Sequence, residues 1–168
     1  FFLLFGSLIS ICWFKHLTVL EAVILMLVQG MITGAVGITF AHELMHQKTK
    51  LERFLADVLM AMAFYGHFRT EHVFVHHRYV GTKKDAVTAR FNESFYIFFL
   101  RVIPQCFISA WSVEAQKLAT KNKSTFNMAN PFYTYAALAS LFVLLSFIIG
   151  GTYGITPVSY THLRAHET

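Results

Sequence analysis

Apolar positions along this chain gather into blocks separated by short polar breaks, and the lengths of the blocks predict the elements. The first block, Phe1 to Phe14, ends at the polar pair Lys15-His16. A second runs from Thr18 to His46, and as one unbroken helix its 29 residues extend about 43 Å, against a hydrocarbon core of about 30 Å. Its last turns must therefore protrude into the interface. Phe54 to Tyr65 is a 12-residue apolar run, too short to cross a bilayer straight, and predicts a buried or re-entrant helix that Gly66 can end. After a polar loop at Gly81-Thr82-Lys83-Lys84-Asp85, a mixed aromatic stretch from Phe91 to Leu118 carries Arg101 and Pro104. Pro104 predicts a kink or a division, and the aromatics suit helices lying at or partly in the interface. Asn130-Pro131 opens a last span, Phe132 to Tyr153.

Within the second block Gly30, Thr33, Gly34, Ala35 and Gly37 form a small-residue face. Close helix packing in lipid is the simpler reading; a slot for a linear apolar molecule is the alternative.

Composition settles the class. Of 168 residues, 55% are hydrophobic and only 14% charged, with a mean hydropathy of +0.51, well to the apolar side of a soluble domain. The expected fold is all-α, a polytopic set of membrane helices. The chain is apolar from Phe1 and lacks an initiator methionine and a basic leader, so the first block reads as a cut membrane helix, part of a fragment, and not as a signal peptide. Twelve of the fourteen Lys and Arg residues lie between Lys48 and Lys123, interleaved with apolar segments. That distribution assigns the stretch to the cytoplasmic side and argues against a nucleic-acid surface. Cys12 and Cys106 lie in apolar surroundings and read as small buried hydrophobes.

The final eleven residues, Val158 to Thr168, look like one reading frame of a transposase adapter used to build sequencing libraries. His162 and His166, four apart, are excluded from the candidate chemistry for that reason.

The chemistry concentrates between His42 and His77. His42-Glu43-Leu44-Met45-His46 and Glu71-His72-Val73-Phe74-Val75-His76-His77 each place two histidines four residues apart, stacked on one helix face. Five imidazoles beside apolar helices suit borderline transition metals better than packing. The first cluster alone fits a zinc protease in which two histidines bind the ion and Glu43 is the general base. That rival needs one further ligand. A metal transporter would instead spread its histidines along a path through the bilayer. Three more histidines arriving together, with His76 and His77 pointing about 100° apart on a helix, suggest a non-haem di-iron oxygen-activating centre facing the cytoplasm. Glu43, Glu71 and Asp85 are candidates to orient imidazoles by accepting their second N–H. His67 reads as an interfacial residue or one that supports a ligand, and not as a ligand itself.

These boxes, with Thr88-Ala89-Arg90-Phe91-Asn92-Glu93-Ser94-Phe95-Tyr96, resemble the integral-membrane alkane 1-monooxygenases, relatives of the membrane fatty-acid desaturases and xylene monooxygenases. The resemblance runs from about Phe40 to Tyr135, and the Asn92-to-Tyr96 signature carries it toward the alkane-oxidising branch. Val75 stands where that family usually has Gly. The resemblance implies that His42, His46, His72, His76 and His77 are iron ligands and that residues 1–157 are a fragment of a membrane di-iron hydroxylase domain. It implies two iron ions, O2 as co-substrate, electrons from rubredoxin, a linear medium-chain alkane hydroxylated at its terminal methyl, and a bacterial inner membrane. A fatty-acid desaturase or hydroxylase is the alternative within the superfamily. The family's remaining histidine motifs lie beyond this stretch, so the fragment alone is expected to be inactive.

Overall fold

The computed structural model describes residues 17–150. The expectations for Phe1 to His16, for the tail of the last span beyond Gly150 and for Val158 to Thr168 fall outside the described residues. Among the described residues the chain is all-helical, and three helices are long and apolar enough to cross a membrane.

Helix α1, Val19–Met45, starts at a capping box. The Thr18 hydroxyl accepts from the Glu21 backbone N–H at 3.3 Å, and Glu21 accepts from the Thr18 N–H at 2.7 Å, which satisfies two donors that the first turn leaves open. The helix runs through to the first histidine box as its length predicts, with one irregularity. At Thr33–Gly37 it widens into a π-turn, closed by the Ile38 N–H on the Thr33 carbonyl. Most of its apolar surface faces outward, as lipid contact requires: Leu20, Ile24, Leu27 and Met31 are all exposed.

Helix α2, Lys50–Met62, is capped by Thr49, whose hydroxyl accepts from the Glu52 N–H at 3.2 Å. It begins four residues before the apolar run and stops short of Gly66. The chain reverses at Ala63 to Gly66, with Phe64 in the left-handed region at φ 54°. Gly66 is needed for closeness here, since a Cβ would lie 2.8 Å from the Tyr135 Cβ. Alanines 41 and 56 are fully buried where α1 and α2 meet, with Met45, Met60 and Tyr65; small side chains let the backbones approach. The reversal returns the second box to the level of the first.

Helix α3, residues 68–79, carries that box and contains a second π-turn at His72–His76. A loop then leads to α4, Phe95–Ala119, capped by Ser94. Here the structure corrects the division expected at Pro104. Pro104 neither divides nor ends α4, and the aromatic stretch forms a single helix of 25 residues, long and apolar enough to span. Proline is tolerated inside membrane helices because neighbouring groups take up the bond it removes. Helix α5, Pro131–Gly150, begins with proline at its first position, where a missing N–H costs nothing.

Between the helices runs a buried polar network. Arg69 on α3 forks onto Asp57 of α2, Nε to Oδ1 at 2.6 Å and Nη2 to Oδ2 at 2.9 Å, and reaches the Tyr135 hydroxyl of α5 at 3.3 Å. Thr70 donates to Glu114 of α4 at 3.0 Å and meets the same tyrosine hydroxyl at 3.1 Å. Lys117 pairs with Glu114 at 2.9 Å and sits 3.1 Å from the Phe74 ring centroid. The segment entering the second box is thus tied to three other helices.

Candidate metal centre

The end of α1 delivers His42 and His46, and α3 delivers His72, His76 and His77. The two sets meet. His42 Nε2 stands 2.9 Å from His72 Nε2 and 3.4 Å from His46 Nε2, while His77 Nε2 is 3.0 Å from His72 Nε2. One ring nitrogen from each of His42, His46 and His72 lies within 4.8 Å of the others. The His76 ring stacks on His72 with centroids 5.2 Å apart.

How His77 joins this group depends on the π-turn. On an α-helix, at about 100° per residue, His76 falls about 40° from His72 and His77 about 140°. In this structure the His77 N–H bonds the His72 carbonyl, five residues back, and the wider turn brings His77 round to the side of His72. The expected divergence of His76 and His77 is therefore reduced by the backbone itself.

The donor set suits a metal cation. A neutral imidazole offers one N–H and one lone pair, so the three contacts that join His46, His42, His72 and His77 through Nε2 cannot each have a proton of their own: one N–H is shared or two lone pairs face each other. Protonating the cluster is also disfavoured. Burial, followed by the neighbouring His42, His77 and His76, pushes His72 down to about 3. His46 is lowered as well, by desolvation first and then by His42 and His77. Groups that stay neutral with converging lone pairs are what a transition metal requires.

The three carboxylates divide. Asp85, 2% exposed, accepts from His76 Nδ1 at 2.9 Å, which fixes the tautomer and leaves Nε2 for a metal. Its Oδ2 also accepts the Thr88 hydroxyl at 2.5 Å, and its Oδ1 accepts the Val87 N–H at 3.2 Å. Glu43 is largely exposed, with Oε1 3.5 Å from His42 Nδ1. Glu71 is fully buried, and neither oxygen meets an N–H or O–H donor. Desolvation, and then Asp85, raises its carboxyl to about 7.

Beside the histidines opens a cavity of about 480 Å³, reaching from Gly34 and Ile38 to His42, His72 and His76, with Phe98 and Val102 also lining it. Gly34 belongs to the first π-turn, which puts the small-residue face next to the candidate centre. His67 stands apart, packed against Tyr65, Phe107 and Phe132.

Sequence reasoning assigned no role to Arg69 or Asp57, and Thr88 entered it only as part of the Thr88-to-Tyr96 signature. For Arg69 and Asp57 the available signal was a charged residue inside or beside an apolar run, which needs a buried partner. Arg101 gave the same signal. It forks onto Glu93 with both contacts at 2.7 Å, and this bond, with the Arg90 N–H, holds the Glu93 carboxyl down at about 2.

A sequence model of the fatty acid desaturase family matches residues 18–162. Among curated proteins the chain is 36% identical over 115 residues to alkane 1-monooxygenase 2 of Pseudomonas aeruginosa, covering 68% of this chain and 30% of that one. It is 35% identical over 149 residues to alkane 1-monooxygenase of Ectopseudomonas oleovorans, covering 82% and 37%. It is 32% identical over 131 residues to the xylene/toluene monooxygenase hydroxylase component of Pseudomonas putida, covering 76% and 35%. The chain spans about a third of the length of these relatives.

Proposed function

We propose, from the premise that this chain belongs to the fatty acid desaturase family, that it supplies part of a membrane-bound non-haem di-iron monooxygenase acting on linear alkanes. The observation that carries the reading is the convergence of ring nitrogens from both boxes, with three histidines offering ligand atoms within 4.8 Å of one another. His42, His46, His72, His76 and His77 would hold the iron. Bound there, two irons would supply the dioxygen activation and one-electron chemistry needed to place one oxygen atom in a terminal C–H bond, the other leaving as water.

The chain's own residues do the rest. Asp85 keeps the His76 Nδ1 proton in place, so that Nε2 is free to ligate. Gly34, Ile38, Phe98 and Val102 give an apolar wall that suits the end of a saturated chain and restricts water. Several relatives are named alkane 1-monooxygenase, which supports an alkane hydroxylated at its terminal methyl, and the chain proposed is one of medium length. The basic residues Lys48, Lys50, Arg53, Lys83 and Lys84 lie close in sequence to the boxes. They support a cytoplasm-facing site on the inner membrane, accessible to a rubredoxin-type electron donor.

The test is metal analysis of the complete gene product together with an alkane hydroxylation assay under 18O2, supplied with rubredoxin and its reductase. Iron near two per protein and 18O-labelled 1-alkanol are expected. Zinc as the bound metal, or no labelled alcohol from an iron-loaded preparation, would overturn the reading.

A further inference from the structure

We propose that Glu93 and Arg101 are positioning residues for the metal centre: their ion pair locks the loop between α3 and α4 so that Asp85 stays against His76. The inference rests on the di-iron reading above and adds a role for the Asn92-to-Tyr96 signature.

The loop from Val80 to Ser94 has no helix or strand of its own, and such segments are ordinarily mobile. Yet it must hold one carboxylate, Asp85, at 2.9 Å from His76 Nδ1. Arg101 stands two turns into α4, on a rigid element, and addresses the loop with its whole guanidinium. Nε and Nη2 go to the two Glu93 oxygens at 2.7 Å each, Nη1 to the Ala86 carbonyl at 2.8 Å, and Nη2 also to the Thr88 carbonyl at 3.3 Å. Ala86 adjoins Asp85, and the Thr88 hydroxyl bonds the Asp85 Oδ2 while accepting the Gly81 N–H at 3.0 Å. The loop is therefore held at both sides of Asp85.

Glu93 makes the arrangement possible. It sits beyond Asn92, which takes the left-handed conformation at φ 59°, a conformation asparagine tolerates. From there its Oε2 also accepts the Arg90 N–H at 2.9 Å. A lysine at position 101 would bring a point charge but no planar fork, and would not serve a bidentate carboxylate and two carbonyls together. A simple surface staple needs none of this registration with Asp85.

The experiment uses the complete gene product in detergent, stripped of metal and titrated anaerobically with Fe(II), and with Co(II) as a visible-absorption probe. Glu93→Gln and Arg101→Lys are each expected to weaken metal binding about tenfold, as loss of a ligand-orienting partner does, and to shift the Co(II) spectrum in the same direction as Asp85→Ala. The double variant Glu93→Gln/Asp85→Ala should bind no more weakly than Asp85→Ala alone, because both act through one contact. Multiplicative losses, or a lowered thermal midpoint with affinity and spectrum unchanged, would overturn the proposal. Thr88→Val keeps the ion pair and removes only the hydroxyl link. It should reproduce the loss, and unchanged affinity in Thr88→Val overturns the proposal even where the charge variants do not fold. Wild-type protein that binds no metal overturns the metal-centre reading and this role with it; metal-binding wild type beside an unaltered Glu93→Gln overturns this role alone.

Discussion

Removing Arg69 should destabilise the protein in a way that fades with acid, whereas the cost of removing Asp57 should not fade. The pair is buried, with side-chain exposures of 22% and 8%, and Arg69 lies three residues before His72, so its loss loosens the entry to the second box. In Arg69→Met the orphaned Asp57 carboxyl takes up a proton instead of remaining charged. From an unfolded value of about 3.9, that costs about 4 kcal/mol at pH 7, at about 1.4 kcal/mol per unit. The folded-state value is raised above the unfolded one, in the direction in which burial already pushes Asp57. The penalty is therefore present above the unfolded value and shrinks as pH falls, to about 1.5 kcal/mol at pH 5. Asp57→Ala strands a guanidinium that cannot shed its charge, for a cost of about 3–5 kcal/mol that is the same at pH 5 and 7. Replacing both, as Asp57→Leu/Arg69→Met, should be close to neutral. The assay is the thermal unfolding midpoint of the complete gene product in detergent, followed by tryptophan fluorescence at pH 5, 6 and 7. An Arg69→Met deficit that does not shrink with acid, or a double variant as unstable as either single one, would refute the reasoning.

Three further outcomes are expected. A divalent metal at about 100 times its Kd should stabilise the wild type by about 2.7 kcal/mol and leave the thermal midpoint of His72→Ala unmoved, since His72 is the nitrogen that His42 and His77 both face. Gly66→Ala should cost about 1–3 kcal/mol through overpacking on Tyr135. Gly81→Ala meets nothing within 4 Å and should lose only about 1 kcal/mol to its positive φ; equal losses at the two positions would contradict the packing. Deleting Phe74, the exposed residue of the second π-turn, should preserve more metal binding than inserting alanine after it, measured by Co(II) absorbance, because the deletion leaves histidines three and four residues beyond His72, both on its face of an ordinary helix.

Much of the fold follows from block length and apolar content, because a helix in lipid must satisfy its own backbone. The unbroken run of α1 to the first box, the reversal near Gly66 and the meeting of the two boxes are all legible that way. The division expected at Pro104 did not occur because the penalty for proline is drawn from helices in water, where a break is easily solvated. The buried partners were illegible for a different reason. Asp57 and Arg69 are 12 residues apart, Thr70 and Glu114 are 44 apart, and periodicity within one helix carries no information about which helix lies opposite. Asp85 was legible as a candidate because it follows the box closely, but nothing in its neighbourhood distinguished it from Glu43, which the structure leaves in solvent.

The spacing of the second box and its backbone explain each other. Histidines four and five residues beyond His72 cannot both face it on a regular helix, since the second points about 140° away. They can when one extra residue is absorbed into the turn, and the His77 N–H bonding the His72 carbonyl is that absorption. A π-turn has poorer bonding than the helix around it and persists where something else benefits from it. Here the benefit is two ring nitrogens, on His42 and His77, within 3.0 Å of His72 Nε2. The first π-turn, at Thr33–Gly37, follows the same logic one step further out. It buries Gly34 and places it on the wall of the cavity that ends at His42 and His72. The two irregular turns thus lie at the same site, one beneath the second box and one on the wall of the cavity beside it.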